Sequence, residues 1–378
     1  MLVVQITEGY FTHGAVMRRA RQETKALLKA GHEVIAITDL RYRSSIHELD
    51  EFKDRLLILP LKPFYFYPPF RKIFSELSFT VKLYFALKKI AQMRRINLIA
   101  CHMSTLCLAV ARISKKYKIK SAWVIQDYIK DRMATGNPYN WLETLMLLYT
   151  DKYNLRNIDY IIPVSRYIKK LTLLDGANPQ RTFIKYNTID TNLFKPRNAL
   201  NKDIDILFIG RLSIEKGVNI LINASKYLSN EKKIVIIGEG PLRNHLERLA
   251  KKVNKGIKFK GFIDHSHLPQ YIRRAKLLVA PSLSECHAAV PLEAMACGVP
   301  VIASNVAGMT DTIQHGKNGW ILKRNTPRAL ATLIERVLSN EENLVRVGHA
   351  AIKRAEYFSE KRFEKEIVKF YEKIVKTA

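Results

Sequence analysis

Short apolar runs alternate along this chain with longer stretches whose apolar residues recur at helical spacing. In the first half Leu2–Thr7, Glu33–Thr38, Leu56–Pro60, Leu98–His102, Ala122–Gln126 and Tyr160–Val164 read as strands. Residues 15–30, 71–95, 105–117, 140–156 and 166–174 read as the helices between them. The second half restarts the pattern, with strands at Ile204–Ile209, Lys233–Ile237, Ile257–Lys260, Leu277–Ala280 and Val299–Ala303. Its helices are expected at about 217–229, 241–254, 267–275, 291–297, 308–315 and 327–338. Strand–helix alternation in both halves predicts an α/β fold of two doubly wound parallel sheets. The 378 residues exceed one ordinary core and fit two.

The stretch from Phe194 to Asp203 is polar, holds Pro196 and lacks periodicity, so it reads as the linker. That gives domains of 1–197 and 198–358. From Ser359 to Thr377 the residues Phe363, Ile367, Phe370, Tyr371 and Ile374 recur at helical spacing. This terminal helix is expected to pack back on the first domain.

Composition excludes several classes. With 47% hydrophobic residues and mixed charge the chain is globular rather than disordered. The apolar start has no basic flank or cleavage signal and reads as a first strand. No uncharged apolar run is long enough to span a bilayer. Cys101, Cys107, Cys286 and Cys297 lack metal-ligand spacing, which predicts reduced thiols in a cytoplasmic protein and no metal site. The formal charge of +29 adds something less ordinary. Residues 81–120 hold ten Lys or Arg and no Asp or Glu, just after the aromatic segment Pro63–Phe70. Basic and aromatic surface together predict contact of the first domain with an anionic membrane face. No nucleic-acid-binding signature accompanies the charge, so nucleic acid is not expected as a partner.

Candidate chemistry gathers at three predicted strand ends of the second half. Strand Ile204–Ile209 runs into Gly210-Arg211-Leu212-Ser213-Ile214-Glu215-Lys216-Gly217. Glycines let the backbone approach a ligand, and Arg211 and Lys216 could both reach one diphosphate, the first as a fork and the second as a point charge. The next strand ends in Gly238-Glu239-Gly240-Pro241. A third runs into Pro281-Ser282-Leu283-Ser284-Glu285, with Glu293 on the helix behind. Ligands of open α/β sheets bind at such carboxyl ends, and carboxylates there suit the hydroxyls of a sugar and a ribose.

Phe259-x-Gly261-Phe262, Pro281-Ser282-x-x-Glu285, Glu293-Ala-Met-Ala-Cys-Gly-Val-Pro300, Gly308 and Gly316-x-x-Gly319 together resemble the retaining glycosyltransferases of family 4, group 1. The resemblance implies the GT-B architecture, two Rossmann-like domains facing a central cleft. It implies that Arg211 and Lys216 hold the donor diphosphate, with Gly14, Gly210 and Gly238 allowing close backbone approach. Glu293 would bind the ribose and Glu285 would orient the donor sugar. Backbone groups at Ala288, Ala289 and Val290 would meet sugar and phosphate, and the base would lie against Phe262 and Ile263. His102, at a strand end, becomes a catalytic candidate, and His13, Gln126 and Asp127 become acceptor-side candidates.

Departures from the family pattern are equally specific. Cys286-His287-Ala288 stands where relatives carry Gly-Phe-Gly, which places the titratable ring of His287 near the donor sugar. Gln126 precedes Asp127 where relatives often have His, and Thr188 replaces a glycine. The implied reaction moves a hexosyl group from a UDP- or GDP-linked sugar to a saccharide or lipid-linked saccharide, as in envelope polysaccharide or lipopolysaccharide synthesis. It proceeds with retention and needs neither metal nor cofactor beyond the nucleotide-sugar co-substrate. A peripheral position on the inner face of the cell membrane follows from the charge. The same fold also serves epimerases, phosphorylases and non-catalytic nucleotide-binding subunits. Retention of Arg211, Lys216, Glu285 and Glu293 together favours transfer over these.

Overall fold

The computed structural model describes all residues except 8–14, 40–46, 63–70, 127, 130–140, 198–200, 230–231, 254–255, 287–288 and 378. The first sheet contains β1 (Leu2–Ile6), β2 (Glu33–Asp39), β3 (Leu56–Leu61), β4 (Leu98–Cys101), β5 (Lys120–Ile125) and β6 (Tyr160–Pro163). All its pairings are parallel, in the order β3-β2-β1-β4-β5-β6. The second contains β7 (Ile204–Ile209), β8 (Ile234–Ile237), β9 (Ile257–Phe259), β10 (Ala275–Ala280), β11 (Val301–Ser304) and β12 (Trp320–Leu322). Its order, β12-β11-β10-β7-β8-β9, repeats the first topology, again entirely parallel. Helices cover both faces of such a sheet, so its inner strands are buried and almost wholly apolar: β1, β4 and β8 are buried at every position, with Gln5 of β1 the one polar side chain among them. Strand order reverses between β1 and β4, and between β7 and β10. Loops leaving the carboxyl ends of such a pair diverge and leave room for a ligand.

Packing divides the chain between Tyr186 and Asn187, and again between Glu360 and Lys361. The first division precedes the polar stretch that sequence marks as the linker, because the second unit already claims the intervening residues. Ile189 bridges to Ser359, and Phe194 is fully buried. Arg273 donates from Nε and Nη2 to the carbonyls of Lys195 and Leu193 at 2.8 and 3.0 Å.

Two elements lie beyond the sequence expectations. β12 is only three residues long, too short to show a period. Helix Glu341–Glu356 buries Val347, Gly348, Ala351 and Ala355, a stripe of small residues with little hydrophobic signal. It needs them, since a Cβ on Gly348 would lie 2.6 Å from the Gly298 carbonyl oxygen. The expected helix at 308–315 is confined to Ala307–Thr310.

The last helix, Glu360–Lys376, buries Phe363, Ile367, Phe370, Tyr371 and Ile374 against Val3, Leu27, Val34 and Ala100 of the first unit. A buried polar network fastens it. Tyr371 donates its hydroxyl to Glu23 Oε2 at 2.6 Å, and Arg19 Nε donates to Glu23 Oε1 at 2.6 Å. The Arg19 guanidinium also lies 4.0 Å from the centre of the Phe363 ring. Gln5 Nε2 donates to Glu23 Oε2 at 3.3 Å, and His102 Nε2 lies 2.9 Å from Gln5 Oε1 and 3.6 Å from Glu23 Oε2. Burial alone would raise the Glu23 pKa, but the Arg19 charge and the Tyr371 hydrogen bond outweigh it and hold the carboxyl below its usual range. Burial pushes His102 down to about 4, and the Arg19 charge adds to that against the opposing pull of Glu23.

Four cysteines are unbridged. Among the described residues no helix is long and apolar enough to cross a membrane, and no group of three or more His, Cys, Asp or Glu could hold a metal ion.

Two expectations concern stability. Tyr371→Phe removes the hydroxyl donor from a buried carboxylate and is expected to cost about 1–3 kcal/mol in urea unfolding. An unchanged midpoint would show the helix to be held by packing alone. The second concerns pH. His102 is neutral in the fold down to about 4, whereas its unfolded counterpart binds a proton below the ordinary histidine value of 6.5. Stability is therefore expected to fall as pH drops from 6.5 toward 4. Glu23, with its depressed pKa, extends the loss to lower pH. His102→Gln should flatten the part between 6.5 and 4 in urea midpoints measured across that range. A slope identical to wild type would refute the assignment.

Candidate functional site

At the switch point of the second sheet four loops pass over one another at distances only glycine permits. Gly217 has φ +62°, and a Cβ there would lie 2.1 Å from the Pro281 carbonyl oxygen. The loop after β7 is thereby pressed on the loop after β10, where Leu283 N–H donates to the Glu215 carbonyl at 2.8 Å. Gly308, beyond β11, could not carry a Cβ either, since it would meet the Glu285 carbonyl oxygen at 2.3 Å. Its N–H donates to that same oxygen at 2.9 Å. The loop after β8 closes the group, with Leu212 N–H donating to the Glu239 carbonyl at 2.9 Å.

This interlock fixes the charged side chains. Lys216 Nζ donates to Glu285 Oε2 at 2.5 Å, joining the two loops that flank the switch point. Burial alone would depress the Lys216 pKa, but the charge of Glu285 and its hydrogen bond, reinforced by Glu215, outweigh it and raise the pKa above that of ordinary lysine. Lys216 is thus a cation across the whole neutral range. Arg211 is exposed on the same loop. Glu215, a conceivable partner for it, instead accepts from Ser213 Oγ at 2.6 Å.

Helix Ala289–Ala296 starts just beyond the Glu285 loop. The N–H groups of its first turn, including those of Ala289 and Val290, have no intrahelical acceptors and form a site for negative charge. Glu293 lies one turn further on, almost fully buried, with Oε1 2.7 Å from His265 Nε2. The His265 ring is held in turn by Phe194, with centroids 5.0 Å apart. His265 belongs to a 3₁₀ turn, His265–His267, whose cap Asp264 accepts from Ser266 N–H at 2.9 Å. Just before it Phe262 leaves 69% of its surface exposed and Ile263 is half-buried, so apolar surface leads into the turn that carries His265.

The structure therefore gathers Gly210, Arg211, Lys216, Gly238, Phe262, Ile263, Glu285, Ala289, Val290 and Glu293 on the carboxyl edge of one sheet. His287 and Ala288 lie outside the described residues, as do His13, Gly14 and Asp127. His102 does close β4 at the first sheet's switch point, but its side chain has no exposed surface. In this structure it is a buried partner of Gln5 and Glu23. Gln126 is likewise buried, donating from Nε2 to the Val16 carbonyl at 3.2 Å. Sequence reading overlooked His265, which carries no motif; only the fold brings it to Glu293.

Comparison with known proteins agrees with this geometry. A family described as glycosyl transferases group 1 matches residues 190–354, and one described as Glycosyltransferase Family 4 matches residues 16–193. An uncharacterised glycosyltransferase of Methanocaldococcus jannaschii is 29% identical over 307 residues, 81% of this chain and 84% of that protein. Among solved structures, a sucrose-phosphate synthase from Thermosynechococcus elongatus superposes with a TM-score of 0.84 at 21% identity, covering 100% of both chains. The Anabaena protein HepE, solved in complex with UDP-glucose, gives 0.77 at 17% identity over 99% of this chain and 100% of its own. These likenesses show the GT-B fold. With the two family matches together running from residue 16 to residue 354, the chain belongs to the group 1 glycosyltransferases of family 4.

Proposed function

We propose that the chain transfers a hexosyl group from a UDP- or GDP-linked sugar to a saccharide or lipid-linked saccharide, with retention at the anomeric carbon. The observation that carries this reading is the Lys216–Glu285 pair at the switch point, beside a helix N-terminus and the buried Glu293. The solved relative that holds UDP-glucose supports the donor class.

In this reading the donor diphosphate lies over the first turn of helix Ala289–Ala296 and draws Lys216 and Arg211 to its oxygens. Glu285, released from Lys216, accepts hydrogen bonds from hydroxyls of the donor sugar. Glu293, oriented by His265, receives the ribose hydroxyls, and the base rests against Phe262 and Ile263. Transfer breaks the bond between the anomeric carbon and the diphosphate oxygen and forms one to the acceptor oxygen. The acceptor proton passes to the departing diphosphate on the same face, which retains configuration. Negative charge grows on the diphosphate and positive charge on the sugar as that bond breaks. The two cations Lys216 and Arg211 meet the first and take the place a metal ion would otherwise fill. In a retaining glycosidase one of two carboxylates attacks the sugar; here the two glutamates hold hydroxyls of different parts of one donor. The pathway served is cell-envelope polysaccharide or glycolipid synthesis.

Two outcomes are expected. Lys216→Ala should lower kcat by roughly 10²–10³-fold, the range for losing one group that meets developing negative charge. Its circular dichroism should match wild type. Glu293→Gln should weaken UDP binding. UDP at a hundred times its wild-type dissociation constant adds about 2.7 kcal/mol to wild-type stability, and most of that gain should vanish from the variant's melting curve. Wild-type turnover by either variant with a panel of UDP- and GDP-sugars would overturn the donor-site assignment.

A further inference from the structure

The first unit presents an outward face that neither its core nor the donor site accounts for. Helix Arg71–Met93 buries Phe79, Leu83 and Leu87 on one side, yet its opposite side is apolar too. Leu77, Val81 and Phe85, spaced four apart and so nearly in line, are 40%, 56% and 61% exposed. The helix thus carries two apolar stripes, parted on one side by Ser78, Lys82 and Lys89, and only one of the two is buried in the core. The ridge is not isolated. Helix Cys107–Tyr117 packs beside this helix, and helix Trp141–Asn157 packs beside that one in turn. The middle helix turns Arg112, Lys115 and Lys116 outward, all exposed. The third adds Leu145 and Tyr149, 55% and 68% exposed. Three adjacent helices thus show an apolar ridge, a cationic ridge and a second apolar ridge. From residue 77 to residue 120 the chain contains no carboxylate side chain.

We propose that this three-helix face docks on an anionic lipid bilayer, with the apolar ridges entering the headgroup boundary and the basic ridge meeting lipid phosphates. The pattern selects this occupant by complementarity. Aliphatic side chains gain nothing against the phosphates of a nucleic acid, which bind cations. A second copy of the chain would set one basic ridge against another, and like charges directly opposed destabilise an interface. A bilayer surface offers acyl chains and anionic headgroups at adjoining depths, matching ridges of both kinds. The proposal rests on the surface of the first unit alone and stands apart from the donor-site reading. It does narrow the acceptor of that reading to molecules held at a membrane.

The test is co-sedimentation of the full chain with phosphatidylcholine vesicles, with and without phosphatidylglycerol. Wild type should pellet with the anionic vesicles alone and be only partly released by high salt, since the apolar ridges are insensitive to screening. The exposed double variant Val81→Asp/Phe85→Asp should bind roughly tenfold more weakly or worse. Lys115→Glu/Lys116→Glu should weaken binding by about fivefold or more for each charge changed. Melting temperature and UDP binding should be unchanged in both, which keeps a failure here distinct from a failure of the donor site. The proposal is overturned if wild type ignores anionic vesicles, or if the apolar variant binds as wild type does while polyanions such as DNA displace both completely. It is equally overturned if sedimentation equilibrium finds a dimer that Val81→Asp/Phe85→Asp dissolves.

Discussion

Everything the second unit offers a ligand depends on how closely four loops pass over the carboxyl edge of one parallel sheet. At Gly217 and Gly308 a neighbouring carbonyl oxygen occupies the place of a Cβ, so no other residue fits without moving a loop. The backbone hydrogen bonds that result, from Leu283 to Glu215 and from Gly308 to Glu285, make Glu285 a fixed point rather than the tip of a free loop. A charged group held by backbone on both sides stands ready for a ligand without reorganising, and such preorganisation is the main source of electrostatic stabilisation in enzymes.

The Lys216–Glu285 pair shows how such a site persists without its ligand. The two side chains keep 27% and 16% of their surface exposed, so each has left much of its water. A half-buried charge with no partner costs several kcal/mol, and each of these provides the other's compensation. In the proposed function a diphosphate arriving at Lys216 would supply stronger negative charge and free Glu285 for hydroxyl donors. The exchange trades one charge-assisted hydrogen bond for others, so neither residue is left uncompensated along the way.

What could be read from the sequence was whatever depends on neighbours in the chain. The strands were legible because parallel strands buried on both faces are continuous apolar runs, and the β7 and β10 loops because glycines and charges cluster just after such runs. Residues paired only through the fold were not legible. His265 reaches Glu293 across 28 positions. Nor does anything local to His102 announce Glu23 and Gln5 closing around it. The helix Glu341–Glu356 escaped because its buried stripe is made of small residues, chosen for close approach to Gly298 rather than for apolar area. The unit division shows a related contrast: polarity singles out the stretch from Phe194 to Asp203, whereas the burial of Phe194 and the carbonyls bound by Arg273 tie that stretch's first residues into the second unit.

The two sheets share one strand order, yet their switch points have opposite characters. In the second, Arg211 is exposed and Lys216 and Glu285 keep part of their surface in solvent, while Glu293 is buried on the helix that follows. In the first, Gln5 at the end of β1 and His102 at the end of β4 turn inward to Glu23, and the returning terminal helix seals them with Tyr371. A buried carboxylate with three hydrogen-bond donors has little freedom to serve a substrate, but it sets the geometry of everything built above it. The same strand order thus carries exposed and partly exposed charge on glycine-pressed loops at one switch point, and a buried polar network among the described residues at the other.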